Sequence, residues 1–414
     1  MGRATNQIDI VADSTTTTES SPNGEYFRHP QVVHAFDQNS TLIAVIELSQ
    51  GSWLVGGIVP GLERSPAKKL NAKEKREVEL LKLLLRWRDE AVKTGREIKR
   101  VVVAFESGRD GFWLARWLMA RGIEAYVIHA ASTAVSREHR RAKTDRLDIE
   151  LLKRGFLGWL RGEAGHCKMV AIPTPEEEDG KRPGRERERL IGECTRIVNS
   201  MKADLTRLGV SNFNPKLRKA AEKLDAVRTP EGRPIPPKTA AKLRREMVRL
   251  HQLKEQIKEI EAERLEQIKR APGEKMHAMI LLLTQVIGMG IETADMLVRE
   301  GLSRRLRDRR AAARLVGLTG SPDESGSRRR EKGLARAGSA RLRTLMIQLA
   351  WRMLIFQKGS ALVQWFRART ADGAPKTRKT MIVALARKLF VALWHMVTTG
   401  EIPEGFVLRP AMAA

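Results

Sequence analysis

The sequence predicts a mixed α/β N-terminal domain, a helical middle with coiled-coil character, and a mainly α C-terminal domain. Three observations carry this. Apolar runs of strand length alternate with helical patterns up to about residue 160, apolar residues then recur at spacings of three and four, and glycine-punctuated helical stretches fill the rest.

The elements follow in order. His34 to Glu47 and Ser52 to Val59 read as two strands joined by a short turn at Gln50-Gly51, a hairpin. Residues 71–93 carry leucines and charges at helical spacing, and Ile98 to Glu106 is a compact apolar run suited to a buried strand. Phe112 to Ala120 predicts a helix, Ile123 to Ile128 a strand, and Asp145 to Leu160 a helix. Strands alternating with helices indicate a mixed sheet. Ile172 to Gly184, rich in Pro, Gly and charge, predicts an unpacked loop. Arg185 to Leu208 reads as a basic helix ended by Gly209, and Thr229 to Pro237 is a second break. From Leu243 through Met247, Leu250, Leu253, Ile257 and Ile260 the spacing suits a coiled coil or a long helical hairpin. It spans under four heptads, so packing within the chain and dimerisation both remain open. Met279 to Ile287, the turn Gly288-Met-Gly290 and a following helix can offer backbone N–H groups to phosphate. Arg341 to Phe356 and the stretch from Lys379 to Trp394 complete the C-terminal domain.

Charge narrows the function. Lys and Arg number 76 against 49 Asp and Glu, a formal net charge of +27, which suits a polyanionic partner bound with strong salt dependence. Aromatic residues make up only 5%, so base stacking is not the obvious mode of contact. Cys167 and Cys194 form no CxxC or Cys/His cluster, which argues against a zinc site or a disulfide framework. The Thr/Ser-rich start lacks a signal-peptide core, and no run of about 18 apolar residues occurs, so a cytoplasmic, nucleoid-associated protein that neither leaves the cell nor spans a membrane is expected.

Chemistry concentrates at four acids and one serine. Asp145 and Asp148 lie three residues apart in Lys143-Thr-Asp-Arg-Leu-Asp148, one face of a helix, directly after a basic run containing Arg140, Arg141 and Lys143. Asp37 closes or interrupts the first strand and Glu106 ends the third, and ligands gather at strand ends in open α/β sheets. Acids converging on one or two Mg²⁺ ions would support phosphodiester chemistry. Each also has an ordinary role: a turn for Asp37, a strand-end charge for Glu106, a helix cap for Asp145 and a surface charge for Asp148. Residues 301–350 hold 13 Lys or Arg against four acids, a net of +9. Within them, Gly317-Leu-Thr-Gly-Ser-Pro-Asp-Glu-Ser325-Gly-Ser-Arg-Arg-Arg330 is a polar turn followed by arginines, with Lys332 and Arg336 beyond. A serine among guanidinium groups could attack a phosphodiester, or the segment could be an exposed phosphate-binding loop in which Ser and Gly only supply turn geometry.

In this combination the chain resembles the insertion-sequence family one-ten transposases, the bridge-RNA-guided recombinases with a DEDD acidic quartet. Asp37, Glu106 in Phe-Glu-Ser-Gly, the Asp145–Asp148 pair, the Gly288-Met-Gly290 turn, Gly317-Leu and Ser325-Gly326 carry the resemblance, which runs from about Val32 to Phe390. It implies a RuvC-like, RNase H-type domain over 31–165, after a disordered segment 1–30. Linker and coiled-coil helices follow over 166–270, then a transposase domain over 271–400 and a tail over 401–414. It also implies that Asp37, Glu106, Asp145 and Asp148 bind Mg²⁺, with Mn²⁺ as a substitute, and that Ser325 is the nucleophile of a transient phosphoserine linkage. Arg140, Arg141, Lys143, Arg328, Arg329, Arg330, Lys332 and Arg336 are the expected nucleic-acid contacts. DNA, an element-encoded noncoding guide RNA and a homo-oligomer (dimer or tetramer), in which the acids of one protomer meet the serine of another, are the implied partners. Two departures stand out. Members often carry Lys a few residues after the first Asp, where this chain has Gln38-Asn-Ser-Thr, and Pro322 sits late after Gly317-Leu, which leaves Ser321 and Ser327 as rivals to Ser325. Besides such a recombinase, a metal-only RNase H-like nuclease or Holliday-junction resolvase and a noncatalytic nucleic-acid scaffold remain open.

Overall fold

A computed structural model describes residues 36–71, 75–108, 111–132, 145–163, 165–217, 219–325, 328–335 and 337–409, with side chains for all of these but 131, 145, 322–325 and 328–332. The expected segment 1–30 lies outside them. The chain divides into two compact units, Met1–Thr174 and Pro175–Ala414.

The first unit is a six-stranded sheet in the order β3-β2-β1-β4-β5-β6. Its strands are β1 Thr41–Leu48, β2 Ser52–Ile58, β3 Ala67–Asn71, β4 Arg100–Glu106, β5 Glu124–Ile128 and β6 Met169–Val170. β1 sits at the centre because Thr41 to Ile46 are buried on both faces, as an uninterrupted β-branched and apolar run allows. It pairs antiparallel with β2 and parallel with β4, and β4 pairs parallel with β5. Helices α1 Arg76–Lys93 and α2 Trp113–Met119 cover one face with Leu80, Leu84, Trp87, Leu114 and Leu118. Helix α3 Asp145–Leu160 covers the other with Ile149, Leu152 and Phe156. Adjacent strand residues point to opposite faces, and β2 uses this at Gly56 and Gly57. A Cβ at Gly56 would come within 2.5 Å of Ile149, and one at Gly57 within 2.7 Å of Trp87. The two glycines thus admit a helix from each side.

The second unit is helical. α4 Pro175–Asp179 and α5 Arg182–Arg207 occupy much of the stretch expected to be an unpacked loop. There Pro175 and Pro183 open helices, where the missing N–H costs nothing, instead of breaking them. α5 and α7 Pro237–Arg270 run antiparallel, since Arg187 pairs with Glu261 near one end while Asp204 pairs with Lys242 near the other. The first part of the three-four spacing in α7, Leu243 through Leu253, therefore packs within this chain, against Val198, Met201 and Leu205 of α5 and the short α6 Ala220–Leu224. The remaining helices, α8 Lys275–Thr284, α9 Ile291–Leu297, α10 Arg309–Leu315, α11 Ala340–Phe356, α12 Ala361–Arg369 and α13 Pro375–Thr399, share one core. α13 is long and apolar enough to cross a membrane by composition, yet Leu385, Leu389, Phe390 and Leu393 form the centre of that core. A two-stranded sheet, β7 Gly320–Ser325 and β8 Arg328–Leu334, projects between α10 and α11.

Buried ions join the helical hairpin to this core. Arg264 of α7, 5% exposed, pairs with Glu292 and, at 3.2 Å, with Asp295 of α9, itself 2% exposed. Arg299, in a turn of π-helix over Val298–Leu302, holds the other oxygen of Asp295 at 2.7 Å. Glu300 accepts from Arg185 of α5 and from Arg341 of α11. Burial alone would raise its carboxyl, but those two guanidinium groups hold it below the usual range.

Candidate functional site

Strand direction decides where the four acids stand. β1 and β4 are parallel, with Thr41 opposite Arg100 and Ile46 opposite Phe105, so Glu106 marks the finishing end of the sheet. Helix α3 runs the other way. Just past its last turn, Arg161 donates to the Gln38 side chain at 2.8 Å, at the starting end of β1. A helix of 16 residues is about 24 Å long, so its first turn, with Asp145 and Asp148, lies toward the Glu106 end. Asp145 opens α3 as expected, and its side chain lies outside the described residues. Asp148 is half-buried in the same turn.

Asp37 lies at the other end. It precedes β1, accepting from the Asn39 amide at 2.9 Å and the Ser40 hydroxyl at 2.6 Å in a tight turn, and His34 and Ala35 of the expected strand lie outside the described residues. The carbonyl of Ser40 accepts from the Lys99 and Arg100 amides, which fixes this turn beside the start of β4. The Ser40 and Asn39 hydrogen bonds, with Lys99 and Arg96 nearby, hold the Asp37 carboxyl below its ordinary range. From there to Glu106 is roughly the length of β4, about 20 Å at the usual strand rise. The structure thus brings Glu106 and the start of α3 to one end and leaves Asp37 at the opposite one. Among the described residues no group of three or more His, Cys, Asp or Glu side chains could hold a metal ion. Among the described acids, Asp37 therefore stands apart from Glu106 and Asp148.

Sequence reasoning passed over Glu47. It follows Ile46 in β1, so the register sets it beside Glu106. Ile43 and Val45 of β1, with Val102 and Ala104 of β4, face α3, and alternation carries Glu47 and Glu106 to that same face. Strand parity was the available signal, once the strand began at Thr41.

Ser325 ends β7 and pairs with Arg328, the first residue of β8, so the serine segment is a β-hairpin with Ser325 at its tip. The sequence had suggested a plain turn or loop. Its polar and charged residues hid it, because the segment lacks the apolar period that marks a strand. Arg329 opposes Glu324 and Arg330 opposes Asp323, so cationic and anionic positions face each other along the ribbon. The side chains of Ser325, Arg328, Arg329, Arg330 and Lys332 lie outside the described residues, as do Arg140, Arg141, Lys143, Ser327 and Arg336 altogether. Ser321 is half-buried near the ribbon's base, beside a register shift between Gly320 and Pro322.

The base of the hairpin is a glycine crossing. Gly317 has φ +63° and Gly338 φ +90°, conformations that disfavour any side chain. A Cβ on Gly317 would overlap the Ala337 carbonyl, and one on Gly338 the carbonyls of Arg314 and Leu315. Ser339 donates its amide to Leu315 at 2.7 Å and caps α11 with its hydroxyl, so the outgoing strand locks where the incoming one left α10. Nearby, Gly288 has φ +97° and Gly290 precedes α9, which gives the expected Gly-x-Gly turn between α8 and α9.

Comparison with known proteins assigns this unit. Residues 281–364, from the end of α8 through the serine hairpin into α12, match the model described as the transposase IS116/IS110/IS902 family. A "Putative transposase y4rJ" from Sinorhizobium fredii (strain NBRC 101917 / NGR234) is 41% identical over 379 residues, covering 88% of this chain and 93% of that protein. With the matched unit carrying the hairpin and the likeness extending through the sheet, the chain belongs to the IS116/IS110/IS902 family of transposases and is a DNA transposase.

Proposed function

We propose that this transposase cuts and rejoins DNA by covalent exchange on Ser325. The observation that carries the reading is Ser325 at the tip of a rigidly based hairpin whose return strand begins Arg328-Arg329-Arg330. Attack of the serine oxygen on a backbone phosphorus forms a phosphoserine bond and breaks one P–O bond to deoxyribose. The serine proton passes to the departing deoxyribose oxygen. A hydroxyl from a second strand then attacks the phosphoserine, restoring a phosphodiester and returning the proton to serine, so the exchange needs no outside energy. Arginines of β8, with Lys332 and Arg336, would bind the nonbridging oxygens and offset charge developing on them. Arg140, Arg141 and Lys143 would hold backbone phosphates before α3.

The strand order 3-2-1-4-5, with β2 alone reversed among the central strands, supports reading the first unit as an RNase H-like, RuvC-like domain. In that reading Glu106, Asp145 and Asp148 form its acidic end. Asp37 enters only if the segment before β1 is arranged differently when DNA is bound. A noncoding guide RNA from the element and assembly into a dimer or tetramer belong to the same proposal. The test incubates protein, guide RNA and DNA and looks for a protein–DNA adduct on a denaturing gel. Ser325→Ala is expected to abolish the adduct with DNA binding retained; an adduct persisting in Ser325→Ala overturns the assignment. The sharing of one sheet end by Glu106 and the α3 acids favours a second reading, a metal-only nuclease or resolvase. Cleavage that survives Ser325→Ala and disappears in Asp148→Ala selects it.

A further inference from the structure

Helix α11 closes its last two turns on a surface that its core role does not account for. Trp351 is 37% exposed, Ile355 63% and Phe356 46%; Trp351 and Ile355, four residues apart, share one outer face, and Phe356 lies farther round the helix. Cations interleave with them. The guanidinium of Arg378, from the first turns of α13, lies 5.3 Å from the Trp351 ring centre, and that of Arg352 lies 5.7 Å from the ring of Phe356.

The platform is held rigidly from beneath. Gln357, fully buried, donates to the carbonyls of Ile287 and Val407 and accepts from the Val407 amide at 2.8 Å. Phe356 lies so close against Gly288 that a Cβ there would overlap it. The end of α11, from which Trp351 projects one turn earlier, is therefore stitched to the Gly-x-Gly turn.

We propose that the Trp351 ring, with Ile355 beside it, forms a stacking platform for an unpaired DNA base, with Arg378 and Arg352 on the flanking phosphates. A ring flanked by guanidinium groups suits a flexible anionic strand, which presents flat bases between phosphates. A duplex keeps its bases stacked on one another and offers the ring no free base face. Exposed rings next to cations also fit a polyanion better than the apolar patch of a partner protein, which would leave Arg352 and Arg378 without counter-charges. DNA is the occupant because the chain is a DNA transposase. The inference rests on that family membership and not on Ser325 or the acids.

Binding of the full-length protein to single-stranded DNA, to the same sequence as duplex, and to single-stranded RNA tests it. Trp351→Ala is expected to weaken single-stranded DNA binding about tenfold, leave duplex binding nearly unchanged, and be largely rescued by Trp351→Phe. Arg378→Ala weakens both DNA forms through the phosphate. Tryptophan emission gives a readout on the folded protein: adding single-stranded DNA quenches the wild type more than Trp351→Phe. Unchanged single-strand affinity in Trp351→Ala, equal losses on duplex, loss confined to RNA, or identical quenching in the two proteins each overturns the platform. A wild-type protein that binds no DNA at all would instead overturn the transposase reading beneath it.

Discussion

In the sheet unit, the candidate acids stand at the ends of elements, and buried charge among the described residues is limited to Lys153 of α3, paired with Glu150. In the helical unit, charge runs through the middle. Around β1, Leu42 to Ile46 lie in two apolar clusters, and Glu47, Glu106, Asp148 and Asp37 all stand at or beyond strand and helix ends. Around α9, Arg264, Glu292, Asp295 and Arg299 form a network between three helical segments. The difference shows two ways of placing functional groups. Register and strand direction set the acids, so a shift of one residue would turn them to the other face. In the helical unit, paired ions and close glycine contacts set the hairpin and the α11 platform. Burying ions yields little net stability, yet removing one member is costly because its partner stays buried without compensation.

That contrast can be broken in order of effect. Asp295→Ala is expected to cost about 3 kcal/mol, since it leaves Arg264 and Arg299 facing each other without their shared acid. Denaturant unfolding measures this, and a loss below about 1 kcal/mol would mean that Glu292 alone balances the site. Gly57→Ala in β2 is the dry counterpart. Its new methyl meets the Trp87 ring, and about 2 kcal/mol is expected from overpacking. If Gly57→Ala proves neutral, the α1 face is softer than its packing indicates. The smallest effect is on pH. The Glu300 carboxyl is held below its ordinary value, so its contribution is present above the unfolded pKa and is lost as pH falls through the folded one. Melting temperature should fall on acidification below about pH 4.5, and Glu300→Gln should flatten that part of the profile.

Much of the sheet unit was legible because strand and helix periods are local. β4, α2, β5 and α3 lie within two residues of their expected bounds. β3 escaped, since Ala67-Lys-Lys-Leu-Asn71 carries a single buried residue, Leu70, and gains its strand form from the neighbouring β2. The acids were visible as residues but not as a place. Whether Asp37 meets Glu106 depends on which of two adjoining segments becomes the central strand, and both are apolar enough. Ser325 was singled out through its setting of Gly and Arg, while the ribbon that carries it was not foreseen. The α11 platform was hidden by composition: a low aromatic content says nothing of where two rings meet two arginines.

The crossing of Gly317 and Gly338 has one more consequence. Because both strands of the serine hairpin leave the helical body through a single pinch, the tip is mechanically insulated from the core whose residues bracket it. Substitutions near the ribbon's tip are expected to leave the packing of α10 and α11 in place, whereas Leu334 at its base packs on that core. The same pinch makes the segment between the two glycines a natural cassette: it can be exchanged between related transposases as one piece, while the pair of glycines that seats it cannot.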